Sequence, residues 1–196
     1  RCVESCFRMV LKYFLPKEEY NWRKLDKLLH KPRKKAAWWF SIYPYLLRKG
    51  FEIKEFTDVS LYNGLLNEGV SYLYKHYPEK GADFYIKESN INEVLKFLPN
   101  VIKKRVFHRS ASSLISVKRL LDKGYLIIAD VNFLKLYGKK GFVSHSILIV
   151  GYDPKNVYIN CPAKDRGKWI AIPNKRFMSS WHRKEMVALK LTERSM

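Results

Sequence analysis

The chain has 196 residues, 47% of them hydrophobic, which is enough to bury one full core and to form a single domain over 1–196, while no apolar run approaches the roughly 18 residues that cross a bilayer. Three cysteines, Cys2, Cys6 and Cys161, are an odd number and too few for a disulfide framework, which points to a reducing, cytoplasmic compartment. Lys and Arg outnumber Asp and Glu 38 to 18, a formal charge of +20, but apart from the run His30 to Lys35 the lysines are dispersed, which reads as a solvated surface and not as sequence-specific nucleic-acid binding.

From Cys2 to Phe14 the residues Val3, Cys6, Phe7, Val10, Tyr13 and Phe14 follow the spacing of an amphipathic helix that stops at Pro16. Cys2 then lies at the helix N-terminus, where unpaired N–H groups and the macrodipole favour a thiolate. Cys6, on the same face, reads as a small core residue. Glu18 to His30 is expected as a second helix, followed by a basic loop. Trp38 to Lys49 is expected as an aromatic helix closed by Gly50, with Trp38 and Trp39 as core or as walls of a groove. Phe51 to Phe56 alternates as a strand does.

Leu61 to Tyr77 is expected as a helix weakened by Gly64 and Gly69. A short helix follows over Ile91 to Leu98, with Asn90 as its N-cap and Pro99 as its end. Val101 to Arg109 is basic and β-leaning, and Ser113 to Asp122 is a helix closed by Gly124. Tyr125 to Val131 (YLIIADV) is continuously apolar and predicts a central strand. A loop over 134–143 leads to Ser144–Tyr152, a strand headed by His145, which the turn Tyr152 to Asn156 returns into Val157–Cys161. Ala163 to Gly167 reads as a turn, Lys168 to Ile172 as a strand, Pro173 to Trp181 as a short helix and Met186 to Leu191 as a final edge strand. Helices first and mostly antiparallel strands later give an α+β architecture.

A cysteine at a helix start and a histidine on a distant strand can form a nucleophile and its base, the imidazole taking the thiol proton. The same residue types, Cys2, Cys6, His145 and Cys161, could instead supply a Cys3His zinc site, although Cys2 and Cys6 are widely spaced for one pair of ligands. Neither the composition nor any other motif calls for a cofactor.

CVESCFRMVLKYF resembles the N-terminal motif of the papain-like peptidase family typified by the leader-processing (double-glycine) peptidases of bacteriocin exporters. HSILIVGYDPKNVYINCP resembles the histidine motif of that family. LLDKGYLIIADVN, WWFSIYPYLLRKGFEIKEF and RFMSSW are similar to segments of its soluble, stand-alone members, so the resemblance covers most of the chain. It implies a papain-like domain with its N-terminal helix packed on a mainly antiparallel sheet, and Cys2 as nucleophile with His145 as base. It implies thiol-dependent hydrolysis of a peptide or amide bond in a peptide or protein substrate. Acyl transfer on the same machinery and a catalytically inactive binding module are the alternatives.

The sequence departs from this family at two places. The glutamine that helps form the oxyanion hole would lie upstream of Arg1, which marks an incomplete N-terminus. Where the family carries an acidic residue before proline, this chain has Cys161 before Pro162, with Asn160 beside it. An even-numbered turn would set Asn160 on the face of His145, and an odd-numbered one Cys161. The resemblance favours the second register. Asparagine is the better orienter of an imidazole, so Asn160 is the expected third catalytic residue.

Overall fold

A computed structural model describes residues 1–32, 34–109, 113–163 and 167–192; Arg33 of the basic run and most of the turn expected over 163–167 lie outside them. Helix α1, Cys2–Phe14, forms as its spacing predicts and buries Cys6, Phe7, Val10 and Leu11 along one side. Glu4 on the same helix is 2% exposed, and Lys31 Nζ lies 3.1 Å from its carboxylate. Part of the basic loop is therefore a buried ion-pair partner and not a solvated charge.

Helix α2, Trp22–Leu28, is shorter than expected because Asn21 caps it, its side chain accepting from the Lys24 N–H. The segment Trp38 to Lys49 divides into a 3-10 turn, Trp39–Ile42, and α3, Tyr43–Arg48. Gly50 then takes φ of 86° and releases the chain into β1, Phe51–Thr57. Helix α4, Val59–Glu68, breaks at Gly69, whose φ of 66° suits glycine. The continuous helix expected to Tyr77 resumes only as a 3-10 turn and the short helix Leu73–His76.

A helix over Glu79–Glu88 follows, which no periodicity predicts: it buries Ala82 alone, too narrow a stripe to stand out among its charges. Pro99 does not end a helix. It sits in the first turn of Leu98–Lys103, where its missing N–H leaves no partner unsatisfied. The β-leaning segment that follows contracts to β2, Phe107–Arg109.

The remaining strands are β3, Leu126–Asn132, β4, Ser144–Tyr152, β5, Asn156–Asn160, β6, Ile170–Pro173, and β7, Trp181–Leu191. They complete a seven-stranded sheet in the order β2-β1-β7-β3-β4-β5-β6, antiparallel except between β1 and β2. This is an α+β fold of the papain-like type. β3 is central, as its apolar run predicts. β7 is not the edge strand expected of it: it pairs with both β1 and β3, and Met186, Val187, Ala188 and Leu189 are buried in succession, as a strand covered on both faces must be.

One core lies on the α1 face of the sheet and includes Leu126, Ile128, Leu148, Val187 and Leu189. The other lies behind it and includes Ala129, Ile147, Ile149, Ile159 and Phe177.

Asn90 precedes the short helix Ile91–Val94 without capping it; the Ile91 N–H goes to Ser89 Oγ at 3.2 Å. Its side chain instead accepts from the Trp38 N–H at 3.1 Å and donates to the Leu29 and His30 carbonyls at 2.6 and 3.3 Å. These bonds join the end of α2, the aromatic turn and the short helix in a buried place. Asn90→Ala orphans all three groups and should cost about 2–4 kcal/mol in urea denaturation. Asn21→Ala, which removes one exposed cap, should cost about 1 kcal/mol.

Candidate active site

Helix α1 packs against β4, and this contact sets Cys2 at the edge of a cavity of about 790 Å³. Cys2 is half-buried. Ser144 and Ser146, the neighbours of His145 in β4, line the same cavity. The side chain of His145 alternates with theirs and turns to the second core, with Ile147 and Ile149. There its ring meets Phe133 edge to face, with centroids 4.9 Å apart. No hydrogen bond joins Cys2 to the imidazole.

The partner of His145 is Cys161, whose Sγ lies 3.6 Å from Nε2. Cys161 is 6% exposed. Burial works against its ionisation, but the hydrogen bonds from His145, Tyr137 and the Ala163 N–H outweigh burial and hold the thiol below its ordinary range. Asn160, expected as the third catalytic residue, points elsewhere: its Oδ1 accepts from the Trp169 N–H at 2.9 Å.

The reason is a change of register within the hairpin. Tyr152 pairs with Val157 and Gly151 with Tyr158, an even-numbered turn that by itself would set Asn160 on the face of His145. A β-bulge at Val150 then advances β4 by one residue, so that Ile149 pairs with Ile159 and Leu148 with Asn160. Beyond the bulge Cys161 shares the face of His145.

Cys6 is fully buried and burial pushes its thiol well up, as befits a core residue. Among the described residues no group of three or more His, Cys, Asp or Glu side chains is placed to hold a metal ion, so the cysteines and His145 are not gathered as the zinc alternative requires. Trp38 and Trp39 both line the cavity. Trp38 is also core, 9% exposed, with Nε1 donating to Ser89 Oγ at 3.0 Å.

Sequence reasoning missed the carboxylates of this cavity, Glu4, Glu88, Glu55, Asp130 and Glu185, the last three of which are shifted by burial. Burial raises Glu55 to about 7, although the Tyr43 and Tyr62 hydroxyls donate to it at 2.5 and 2.6 Å. Burial likewise raises Asp130 to about 6, against the pull of Ser144 and of the His145 backbone N–H, both of which donate to it. Glu185 rises to about 7 through burial and through the charges of Glu55 and Asp130, with Arg183 opposing. A signal was available: in FEIKEF, Glu55 stands in the same phase as Phe51 and Ile53, the buried phase of β1, and Asp130 interrupts an otherwise apolar run. A charged residue in an apolar phase marks a site or a buried network.

Because the folded chain holds the Glu185 proton up to about pH 7 and the unfolded chain releases it near 4.5, this group lowers stability progressively as the pH rises between those values. Glu185→Gln should therefore match the parent below about pH 4.5. Above pH 7 it should be more stable by about 1–3 kcal/mol, a difference read from denaturation curves taken across that range.

A crystal structure of a candidate C39-like peptidase from Bacillus anthracis is similar at 20% identity over 44% of this chain, with a TM-score of 0.33. The similarity spans 50% of that chain. No curated protein matches the sequence. The Peptidase_C39-like family matches residues 55–189, a stretch that contains His145 and Cys161 and leaves α1 with Cys2 outside it. Over well more than half of its length, then, the sequence carries the family's pattern, and the chain belongs to the Peptidase_C39-like family.

Proposed function

We propose that residues 1–196 act as one papain-like domain that hydrolyses a peptide or amide bond through a thioester acyl-enzyme, with Cys2 as nucleophile and His145 as base and then acid. The observation that carries this reading is the position of Cys2. It opens α1 at the edge of the cavity, whereas the His145 ring turns to the other face of β4, so its role as base is carried by the resemblance of its motif and not by a contact with Cys2. Membership of a peptidase family supports a peptide or protein as the substrate. The cavity is large enough for a substrate segment of a few residues, and its aromatic walls, Trp38, Tyr62, Tyr77 and Tyr85, offer apolar surface to side chains on either side of the bond attacked. A reducing, cytoplasmic compartment is part of the same reading, from the small and odd number of cysteines. Among the described residues no helix is long and apolar enough to cross a membrane.

In this mechanism the Cys2 sulfur forms a bond to the carbonyl carbon as its proton passes to His145. The imidazolium returns that proton to the leaving amine, and water then resolves the thioester. A thiol-directed activity probe applied to the full chain should label Cys2 in preference to Cys6 and Cys161, as mapped by mass spectrometry. Cys2→Ser should abolish the labelling, and His145→Ala should slow it by about 10²- to 10⁴-fold. Equal labelling of all three cysteines would count against a catalytic Cys2.

A further inference from the structure

The strands β3 and β7 pair Ala129 with Met186 and Val131 with Trp181. Between these pairs β3 has a single residue, Asp130, and β7 has four, His182 to Glu185, so β7 carries a large bulge. Within it Arg183 and Lys184 take φ of 46° and 56°, a left-handed backbone that residues with a Cβ avoid. Bulges and backbone of this kind gather where a side chain has to be aimed. Here the bulge delivers Arg183 and Glu185 to the wall of a second cavity, of about 590 Å³. Thr57 and Glu185 line this cavity and the one beside it that Cys2 lines.

Arg109 of β2, with His76 and Asp58, completes the charged lining of the second cavity. Asp58 is already engaged: its Oδ1 accepts from the Ser60 N–H at 2.9 Å and from the Ser60 hydroxyl at 2.7 Å, and its Oδ2 lies 3.8 Å from His76 Nδ1. The Ser60 bonds, with the charges of His76 and Arg109, hold Asp58 below the ordinary carboxylate range. Burial keeps Glu185 protonated up to about pH 7 and pulls the His76 imidazole below its ordinary range. Guanidinium groups stay ionised throughout. Just below neutral pH, then, two guanidiniums face one ionised acid, and one positive charge is left over. Both arginines are exposed and open to a ligand, and Arg183 is seated on the Tyr77 ring, 4.6 Å from its centre.

We propose that this second cavity is a binding site for a carboxylate group, held by Arg109 and Arg183. A guanidinium meets a carboxylate through two parallel N–H···O bonds, and a surplus of one positive charge suits a singly charged group better than a phosphate dianion. The positive end of α4 adds to the same field, since Val59 and Ser60 of its first turn stand in this wall. Two sources can supply the carboxylate. One is a free small acid. The other is the C-terminus of a peptide whose body lies in the adjoining cavity and reaches this one past Thr57 and Glu185. The site stands whether or not Cys2 is a nucleophile.

Titration calorimetry on the full chain just below neutral pH tests this, with Cys2→Ser present so that no peptide is turned over. One arm compares butyrate with butyramide. The other compares N-acetyl-pentaalanine bearing a free C-terminal carboxylate with the same peptide amidated. The acid should bind at least about tenfold more tightly than its amide, and Arg183→Gln should bring the acid to the level of the amide. A preference of equal size in both arms identifies the free acid as the ligand, and a preference larger in the peptide arm, or confined to it, identifies the peptide C-terminus. Should Arg183→Gln not fold, Arg109→Gln, at the exposed end of β2, takes its place. Lys168→Gln removes an exposed charge beside β6, at the far edge of the sheet, and should leave every affinity unchanged. Equal binding of acid and amide in both arms, absence of binding included, would overturn the site. A loss in Lys168→Gln as large as in Arg183→Gln would do the same, since it is the mark of nonspecific attraction to a chain of net charge +20. Inorganic phosphate that displaces the acids and binds more tightly than they do would overturn the choice of carboxylate. Binding is read here without turnover, so the hydrolase reading stands or falls separately, on the labelling of Cys2.

Discussion

The site takes its shape from the packing of one helix on one strand. Cys6, Phe7, Val10 and Leu11 of α1 join Leu148 of β4 in the core on that side of the sheet, and that apolar contact fixes where the first turn of the helix must lie. Four buried side chains at about 1.5–3 kcal/mol each outweigh any local preference of the first turn. The position of Cys2 is therefore a consequence of core packing and not of the loop chemistry around it. Glu4 and Lys31 add a charge pair at 3.1 Å to the same end of the helix. Because that pair is buried, its worth lies less in net stability than in the geometry it imposes.

How much of this was legible follows from how often each signal repeats. The pattern of α1 recurs over three turns, and helix α1 ends where the sequence placed it. The β4–β5 hairpin was legible from its turn. Asp153 accepts from the Lys155 and Asn156 N–H groups at 2.6 Å each and from the Tyr158 hydroxyl at 2.7 Å, the work of an aspartate at the head of a tight turn. The bulge at Val150 was not legible, because a valine there is as apolar and β-branched as its neighbours and nothing marks it as the extra residue. That single position decides between Asn160 and Cys161. Chemical preference for an amide over a thiol was a sound reason to favour Asn160, and backbone register overrode it.

The net charge of +20 describes the chain as a whole and hides its interior. Around the cavity acids and bases are mixed: Glu4, Glu55, Glu88, Asp130 and Glu185 line it beside Arg1, Lys31, Lys34 and Lys35, and burial holds Glu55, Asp130 and Glu185 toward their neutral forms. Arg183 answers part of that charge, with its guanidinium 4.6 Å from the centre of the Tyr77 ring. A count of charges along the sequence speaks to solubility and to nonspecific attraction. The electrostatics of the cavity depend instead on which few groups face it.

The place of β7 bears on how the chain reaches its fold. β1 lies near the beginning of the sequence and β3 past its middle, yet the two are joined only through β7, which pairs with both. During synthesis the α1 helix, β1 and the β3–β4–β5 ladder all emerge before the strand that unites them. Until Trp181–Leu191 arrives, the inner edges of β1 and β3 stand open, each a row of unpaired backbone groups able to join a wrong partner. Closure of the sheet is thus a late event governed by contacts of long sequence separation, which folding reaches slowly. Shortening the chain before residue 181 would remove not a peripheral strand but the seam between the two halves of the molecule.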